Sequence, residues 1–173
     1  MSCTIYLVRH GIAAQASANT HDSDRALTAE GTRKMTRAAI GLKRLGIVPD
    51  VVLSSPLRRA QETAALLATT LAPDVEVEIY QPLAPGTTPA ELLRALQPYR
   101  AARHLMLVGH QPDLGQLASH LLAGSPKLAP LPFKKGAVAA IEVPSVPPRA
   151  SGILRWFLTP KHLRALGRIG RRR

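Results

Sequence analysis

The chain has 173 residues and a formal net charge of +12; hydrophobic residues make up 46% and aromatic residues 3%. This length fits one domain with a sizeable core, and its single cysteine, Cys3, excludes an internal disulfide or an all-cysteine metal site. No apolar run is long enough to span a bilayer. The start of the chain also lacks the basic segment of a secretory signal, so a cytoplasmic protein without a membrane partner is expected.

The first structural feature is a short apolar segment at residues 3–8, which predicts a buried β-strand. It ends abruptly at Arg9-His10-Gly11. Residues 12–27 are small and polar and predict a loop, whose length is typical of functional loops. Thr28 is then expected to cap a helix that continues to about Arg44.

Strands and helices alternate along the rest of the chain. Further strands are predicted at residues 51–53, 75–80, 104–108, 137–143 and 153–158. Helices are predicted at about residues 57–71, 89–100 and 112–122, with an irregular segment at 124–135 and a short basic helix after Pro160. For the first of these helices, Ser55 is a possible cap and Pro56 is expected at the first helical position. This alternation predicts an α/β fold with three layers, in which helices cover both faces of a mostly parallel central sheet.

The end of the chain is strongly basic. No acidic residue follows Glu142, whereas eight Lys or Arg residues lie between positions 143 and 173. Such a segment can bind nucleic acid, acidic lipid or acidic protein, or it can be a solvated end. We predict a domain over residues 1–160 followed by a basic tail over residues 161–173. The low aromatic content offers no platform for base stacking, so nucleic-acid binding is expected only through this tail.

Three predicted strands are followed by groups that suit an anion. These groups are Arg9-His10-Gly11, the segment from Ser54 to Arg59, and Gly109-His110. In open α/β sheets ligands bind beyond the carboxyl ends of the strands, and guanidinium groups match phosphate oxygens bidentately. A zinc site would need three or four ligands, and the neighbouring arginines would repel the zinc ion. No metal is therefore expected.

At these residues the sequence resembles a known family. Leu7-Val8-Arg9-His10-Gly11 resembles the signature of the histidine phosphatase superfamily, the phosphoglycerate-mutase-like enzymes. Residues 54–63 resemble the second motif of that family, and Val108-Gly109-His110 resembles the third. The Gly-His-Gln-Pro form of the third motif and residues 154–160 are most similar to the SixA-type phosphohistidine phosphatases.

The resemblance implies a phosphatase that uses neither a metal nor an organic cofactor. It implies that His10 is the nucleophile and becomes phosphorylated. The residues expected to hold the phosphoryl group are Arg9, Arg59 and His110. Gly11, Gly109 and the neighbouring Arg58 are further candidates for substrate contact, although the motif favours Arg59 over Arg58.

A general acid is not evident. The loop at residues 81–87, where many relatives carry one, has no carboxylate, and Gln111 follows the second histidine where other branches have an aspartate. Asp22, Asp24 and Asp113 are the candidates that remain. A phosphoramidate can be protonated on nitrogen before cleavage, so it needs a positioned acid less than an alkyl ester does. The sequence therefore favours a phosphohistidine substrate.

Three functions remain open. The first is a phosphatase acting on a phosphorylated protein. The second is a phosphatase of the same fold acting on a small molecule, such as a sugar phosphate or a nucleotide. The third is a non-catalytic binder of an anion or a nucleic acid, which the presence of His10 together with Arg9, Arg59 and His110 disfavours.

Overall fold

The computed structural model describes residues 2–16, 21–149 and 151–168. The strands are β1 (Cys3–Arg9), β2 (Val51–Ser54), β3 (Val77–Ile79), β4 (His104–Gly109), β5 (Val138–Val143) and β6 (Ile153–Leu158). The helices are α1 (Ala29–Arg44), α2 (Arg58–Leu71), α3 (Pro89–Ala95), α4 (Asp113–Ala123) and α5 (Pro160–Leu166). None of the described helices is long and apolar enough to cross a membrane.

One six-stranded sheet in the order β3-β2-β4-β1-β5-β6 forms the centre of the fold. The β3-β2, β2-β4 and β4-β1 pairs are parallel, whereas β5 runs antiparallel to both β1 and β6. The mostly parallel α/β sheet predicted from the sequence is therefore confirmed. In the β1-β4 register Arg9 lies opposite Gly109, so His10 and His110 follow the two strands at the same edge of the sheet.

The central strand β1 is buried on both faces of the sheet. Ile5 and Leu7 belong to a core that includes leucines of α3 and α4, whereas Tyr6 and Val8 belong to a second core with α1, α2 and α5. A strand covered on both faces has no polar side. This explains the continuous apolar run at the start of the sequence.

Two predicted elements are shorter than expected. The helix predicted for residues 89–100 ends at Ala95 and is followed by a 3₁₀ turn at Gln97–Tyr99. Pro98 accounts for the break, because it has no N–H and its ring clashes with the carbonyl four residues earlier in an α-helix. The strand predicted for residues 75–80 spans Val77–Ile79 and pairs only with β2 at the edge of the sheet.

The start of α2 also differs from the prediction, which placed Pro56 at the first helical position. The helix begins at Arg58, with Leu57 at the cap position. In the loop predicted for residues 12–27, the structure describes a bridge between Ala13 and Leu27 and a 3₁₀ turn at Asp22–Asp24. Residues 17–20 of that loop lie outside the described residues.

The short helix predicted after Pro160 is confirmed as α5, which packs against α1. Leu163 of α5 is fully buried and belongs to the core that includes Met35 and Leu42 of α1. A Cβ on Gly41 would come within 2.1 Å of the Leu163 carbonyl oxygen, so the two backbones lie in close contact. The last part of the predicted basic tail, residues 169–173, lies outside the described residues.

The burial of Leu163 gives a direct test of the predicted division at residue 160. We expect Leu163→Ala to lower the free energy of unfolding by about 2–5 kcal/mol, the usual cost of removing a buried leucine side chain. Leu128→Ala is the control, because Leu128 is 71% exposed. Urea unfolding measures both variants. A change at Leu163 no larger than the change at Leu128 would show that the segment after residue 160 folds independently of the core.

Candidate active site

A cavity of about 390 Å³ lies beyond the carboxyl ends of the central strands. It brings together the predicted residues Arg9, His10, Arg59 and His110, together with Asp22 and Asp113. Asp24 and Arg58 do not line this cavity. Gly11 and Gly109 lie beside the two histidines along the chain. The parallel register of β1 and β4 accounts for the meeting of the histidines, whose ring centroids are 5.1 Å apart.

A backbone carbonyl fixes the tautomer of His10. Its Nδ1 lies 2.7 Å from the carbonyl oxygen of Gly11. Because a carbonyl can only accept a hydrogen bond, Nδ1 must carry the proton. The lone pair of the ring is then on Nε2, which has no hydrogen-bond partner among the residues that the structure describes.

The surroundings keep both imidazoles neutral. Burial, reinforced by the positive charges of Arg59 and Arg9 and by His110, lowers the pKa of His10 to about 3. Burial and the same two arginines lower the pKa of His110 to about 4, while Asp22 opposes the shift. A neutral imidazole with a free Nε2 is a nucleophile at physiological pH.

The two neighbouring arginines of α2 point in different directions. Arg59 is buried, and it donates from Nη1 to the backbone oxygen of Asp22 at 2.7 Å and from Nη2 to Oδ2 of Asp22 at 3.0 Å. Arg58 is exposed and donates to Oε1 of Glu62 at 2.7 Å. Successive side chains on a helix point about 100° apart, so only one member of the pair can face the cavity. The expected substrate contact by Arg58 has no support from its position.

Arg9 reaches the cavity from the end of β1. Its Nη1 donates to the carbonyl oxygen of Phe133 at 2.6 Å, which fixes the guanidinium against the segment before β5. Its Nε is buried and has no partner among the described residues. The guanidinium therefore retains donors for an anion.

Ser55 holds His110, a contact that the sequence did not indicate. The Oγ of Ser55 lies 2.7 Å from Nε2 of His110 and accepts a hydrogen bond from the backbone N–H of Leu57 at 3.3 Å. The second ring nitrogen of His110, Nδ1, is buried without a partner among the described residues. Ser55 was expected only to cap α2; its place within the second motif was the one signal of a further role.

Thr63 joins the two sides of the site and was also missed. Its hydroxyl accepts a hydrogen bond from the Gly11 N–H at 3.1 Å and donates to the carbonyl oxygen of Arg59 at 2.7 Å. A hydroxyl that bonds to the carbonyl four residues earlier is a common arrangement for threonine in a helix. Here it also ties the turn after β1 to α2.

The two glycines beside the histidines differ in what the structure requires of them. A Cβ on Gly11 would lie 2.7 Å from Cγ of Met35, so α1 leaves no room for a side chain. A Cβ on Gly109 would make ordinary contacts with Leu114 at 3.5 Å. The packing therefore requires a glycine at position 11 but not at position 109.

The three candidate acids lie in different surroundings. Hydrogen bonds from Arg25 and Arg59 lower the pKa of Asp22 and favour its ionised form, which is unsuited to donating a proton. Asp113 lines the cavity and accepts a hydrogen bond from the Gly86 N–H at 2.9 Å. Asp24 is exposed and accepts from the Ser23 hydroxyl. Among the described residues, no group of three or more His, Cys, Asp or Glu side chains is arranged to hold a metal ion.

Comparison with known proteins identifies the class. Residues 5–84 match the family model of the histidine phosphatase superfamily, branch 1. An uncharacterized protein of Picosynechococcus sp. is 41% identical over 123 residues, which cover 69% of this chain and 73% of that protein. The phosphohistidine phosphatase SixA of Escherichia coli is 28% identical over 164 residues, covering 92% of this chain and 96% of SixA. The chain belongs to the histidine phosphatase superfamily, and these relationships support phosphatase activity.

Solved structures agree with this assignment. The protein histidine phosphatase SixA complexed with tungstate superposes with a TM-score of 0.81 at 26% identity, covering 92% of this chain and 99% of that one. A mycobacterial glucosyl-3-phosphoglycerate phosphatase superposes with a TM-score of 0.65 at 17% identity, covering 92% of this chain and all of that one (100%), a likeness of fold alone. The phosphoglycerate-mutase-like fold and the similarity to SixA inferred from the sequence are confirmed.

The lowered pKa of His10 can be tested by ¹⁵N NMR of histidine-labelled protein. We expect the His10 ring to keep the signals of the neutral Nδ1–H tautomer down to about pH 5, where a free histidine with a pKa of about 6.5 is mostly protonated. The unfolded chain binds this proton below about pH 6.5 and the folded chain does not, so stability should fall as the pH decreases below that value. Protonation of His10 near pH 6 would contradict the assignment.

Proposed function

We propose that this protein is a phosphatase that removes the phosphoryl group from phosphohistidine on a protein, through a phosphorylated intermediate on His10. The observation that carries the proposal is the state of His10: a neutral imidazole, fixed by the Gly11 carbonyl, with an unbonded Nε2 among two guanidinium groups and a second imidazole. Such a group can attack phosphorus without first losing a proton.

In the first step, Nε2 of His10 attacks the phosphorus atom in line with the bond that breaks. The new N–P bond forms as the bond to the substrate imidazole breaks, and that imidazole leaves as the neutral ring after taking up a proton. In the second step, water attacks phosphorus, the bond to Nε2 breaks, and inorganic phosphate and free His10 result. Dividing the reaction in this way replaces one difficult displacement with two easier ones.

In this proposal, Arg9, Arg59 and His110 bind the negatively charged oxygens of the transferring phosphoryl group. Stabilising its equatorial oxygens is the main task in phosphoryl transfer, and guanidinium donors held in position suit that task. The donors of Arg59 are held by Asp22 in this structure, and we propose that phosphate oxygens replace that carboxylate when substrate binds. Because the guanidinium groups of Arg9 and Arg59 supply positive charge, while His110 contributes as a neutral imidazole, we propose that the reaction needs no metal ion.

The nature of the leaving group supports an N–P bond. Protonation by a positioned acid is worth about 10²–10⁴-fold for a poor leaving group, yet Asp22 is held ionised by Arg25 and Arg59. An imidazole can be protonated before the bond breaks. The similarity to the phosphohistidine phosphatase SixA, over nearly the whole length of both chains, favours the same substrate class.

The intermediate can be trapped directly. After rapid mixing with radiolabelled phosphoramidate or a phosphohistidine peptide, we expect label on the wild-type protein that is lost in acid and survives in base. His10→Ala should carry no label and lose about 10⁴-fold or more of kcat, because the nucleophile is gone. His162→Ala, at an exposed position, is the matched control and should behave as wild type.

The same variants separate catalysis from mere binding. A non-catalytic anion binder would bind the phosphopeptide equally well with and without His10 and would release no phosphate. Absence of label from every donor tried, together with unchanged binding by His10→Ala, would overturn the proposed phosphatase mechanism.

The position of Asp113 favours a small-molecule phosphate ester as the second candidate substrate. Its carboxyl group lines the cavity and is bonded to a backbone N–H rather than to an arginine. We propose that in this alternative Asp113 serves as the acid toward an alkoxide leaving group. The fold is shared with a glucosyl-3-phosphoglycerate phosphatase, although that likeness does not define a substrate here.

Comparing leaving groups decides between these substrates. We expect kcat/KM for a phosphohistidine peptide to exceed that for a simple alkyl phosphate by about 10²-fold or more, the usual worth of an absent acid. Equal or faster hydrolysis of the alkyl ester would favour the small-molecule reaction. In that case Asp113→Asn should slow the alkyl ester selectively, whereas Asp113→Glu should retain part of the activity.

A further inference from the structure

A second and larger cavity adjoins the active site. It has a volume of about 600 Å³ and lies between the start of α1, the turn before β5 and the start of α5. Arg9 and Lys135 line both this cavity, which we call the basic groove, and the cavity that holds His10. A substrate whose phosphoryl group lies at His10 can therefore extend past these two side chains into the groove.

The groove carries a strong positive charge. The cationic residues that line it are Arg9, Lys34, Lys134, Lys135, Lys161 and Arg164. No carboxylate is among its described lining residues. Glu30 pairs with Lys34 at 2.5 Å and lies close enough to Arg164 to feel its charge. Lys134, Lys135 and Lys161 make no ion pair with a described residue, so most of this charge is free to attract an anionic partner.

The kind of cation and its distribution indicate an extended partner. Four of the six cationic residues of the groove are lysines, which are flexible point charges, whereas the active site contains the buried guanidinium of Arg59. A second site for a small phosphate would gather its donors around one point. Here the charges come from four separate segments of the chain, and the half-buried residues Ile12 and Pro160 add apolar surface to the groove wall.

We propose that the basic groove binds an acidic polypeptide segment of the phosphorylated protein substrate, adjacent in that protein to its phosphohistidine. This inference rests on the proposed function, because it assigns the groove to the substrate of the same site. The carboxylate groups of this segment would lie along the lysines of the groove. The aliphatic parts of the same acidic side chains would contact Ile12 and Pro160. The groove would thereby select protein substrates by charge outside the reacting group.

Three synthetic peptides test this selection. Each carries one phosphohistidine followed by six residues, which are all Glu, all Gln or all Lys. We expect kcat/KM to be about tenfold or more higher for the Glu peptide than for the Gln peptide at low salt, since several weak surface pairs act together. The preference should shrink as salt screens the charges, and the Lys peptide should be the poorest substrate.

Matched variants locate the effect. The groove variant combines Lys134→Gln, Lys161→Gln and Arg164→Gln, none of which lines the cavity of His10. The control variant combines Lys43→Gln, Arg94→Gln and Lys127→Gln, which removes the same charge at exposed positions outside the groove. We expect the Glu preference to fall to about twofold or less in the groove variant and to persist in the control. Hydrolysis of phosphoramidate itself, which has no peptide, should stay within about twofold of wild type in both.

Several outcomes would overturn the inference. One is an equal rate on the Glu and Gln peptides by the wild-type protein, and another is an equal loss of preference in the groove and control variants. Tight competition by a single-stranded oligonucleotide, abolished in the groove variant while peptide charge has no effect, would assign the groove to nucleic acid instead. Failure of the proposed function is distinct, because then neither phosphoramidate nor any peptide would be hydrolysed.

Discussion

The hydrogen bond from Nδ1 of His10 to the carbonyl of Gly11 determines which ring nitrogen can react. It spans adjacent residues, but it depends on the packing of two helices. Met35 of α1 fills the space that a side chain at residue 11 would need, and Thr63 of α2 binds the Gly11 N–H. The backbone position of Gly11 after β1, and with it the tautomer of the imidazole, therefore depends on the packing of these helices against the sheet.

Burial and positive charge act together on this imidazole. Removing the ring from water disfavours its protonated form, and the guanidiniums of Arg9 and Arg59 disfavour it further. The same guanidiniums would attract a phosphoryl group. One arrangement of charge therefore suits two requirements of the proposed reaction, a neutral nucleophile and an electrophile with several negative oxygens. Asp22 balances part of that charge when no phosphate is bound.

Positive charge extends from the active-site cavity into the adjoining basic groove. Arg9 and Lys135 line both the active-site cavity and the basic groove. The positive charge proposed to bind the phosphoryl group is therefore continuous with the charge proposed to bind the rest of the substrate. The fold is shared with proteins named for different phosphate compounds, a protein histidine phosphatase and a glucosyl-3-phosphoglycerate phosphatase. A shared fold does not specify a substrate, so we infer selection from the surface beside the active site, which α5 and the turn before β5 form here.

The sequence by itself determined the alternation of strands and helices, the mostly parallel sheet and the strand ends that bear Arg9, His10 and His110, because periodicity and breaks are local properties of the chain. The early end of α3 could have been read from Pro98. The tertiary structure decided the contact of Ser55 with His110, the pairing of Asp22 with Arg59 and the choice between Arg58 and Arg59. The contacts of Ser55 with His110 and of Asp22 with Arg59 join residues far apart in the chain. Like the choice between the two arginines, they are established only when the folded chain brings one face of α2 to the carboxyl edge of β1 and β4.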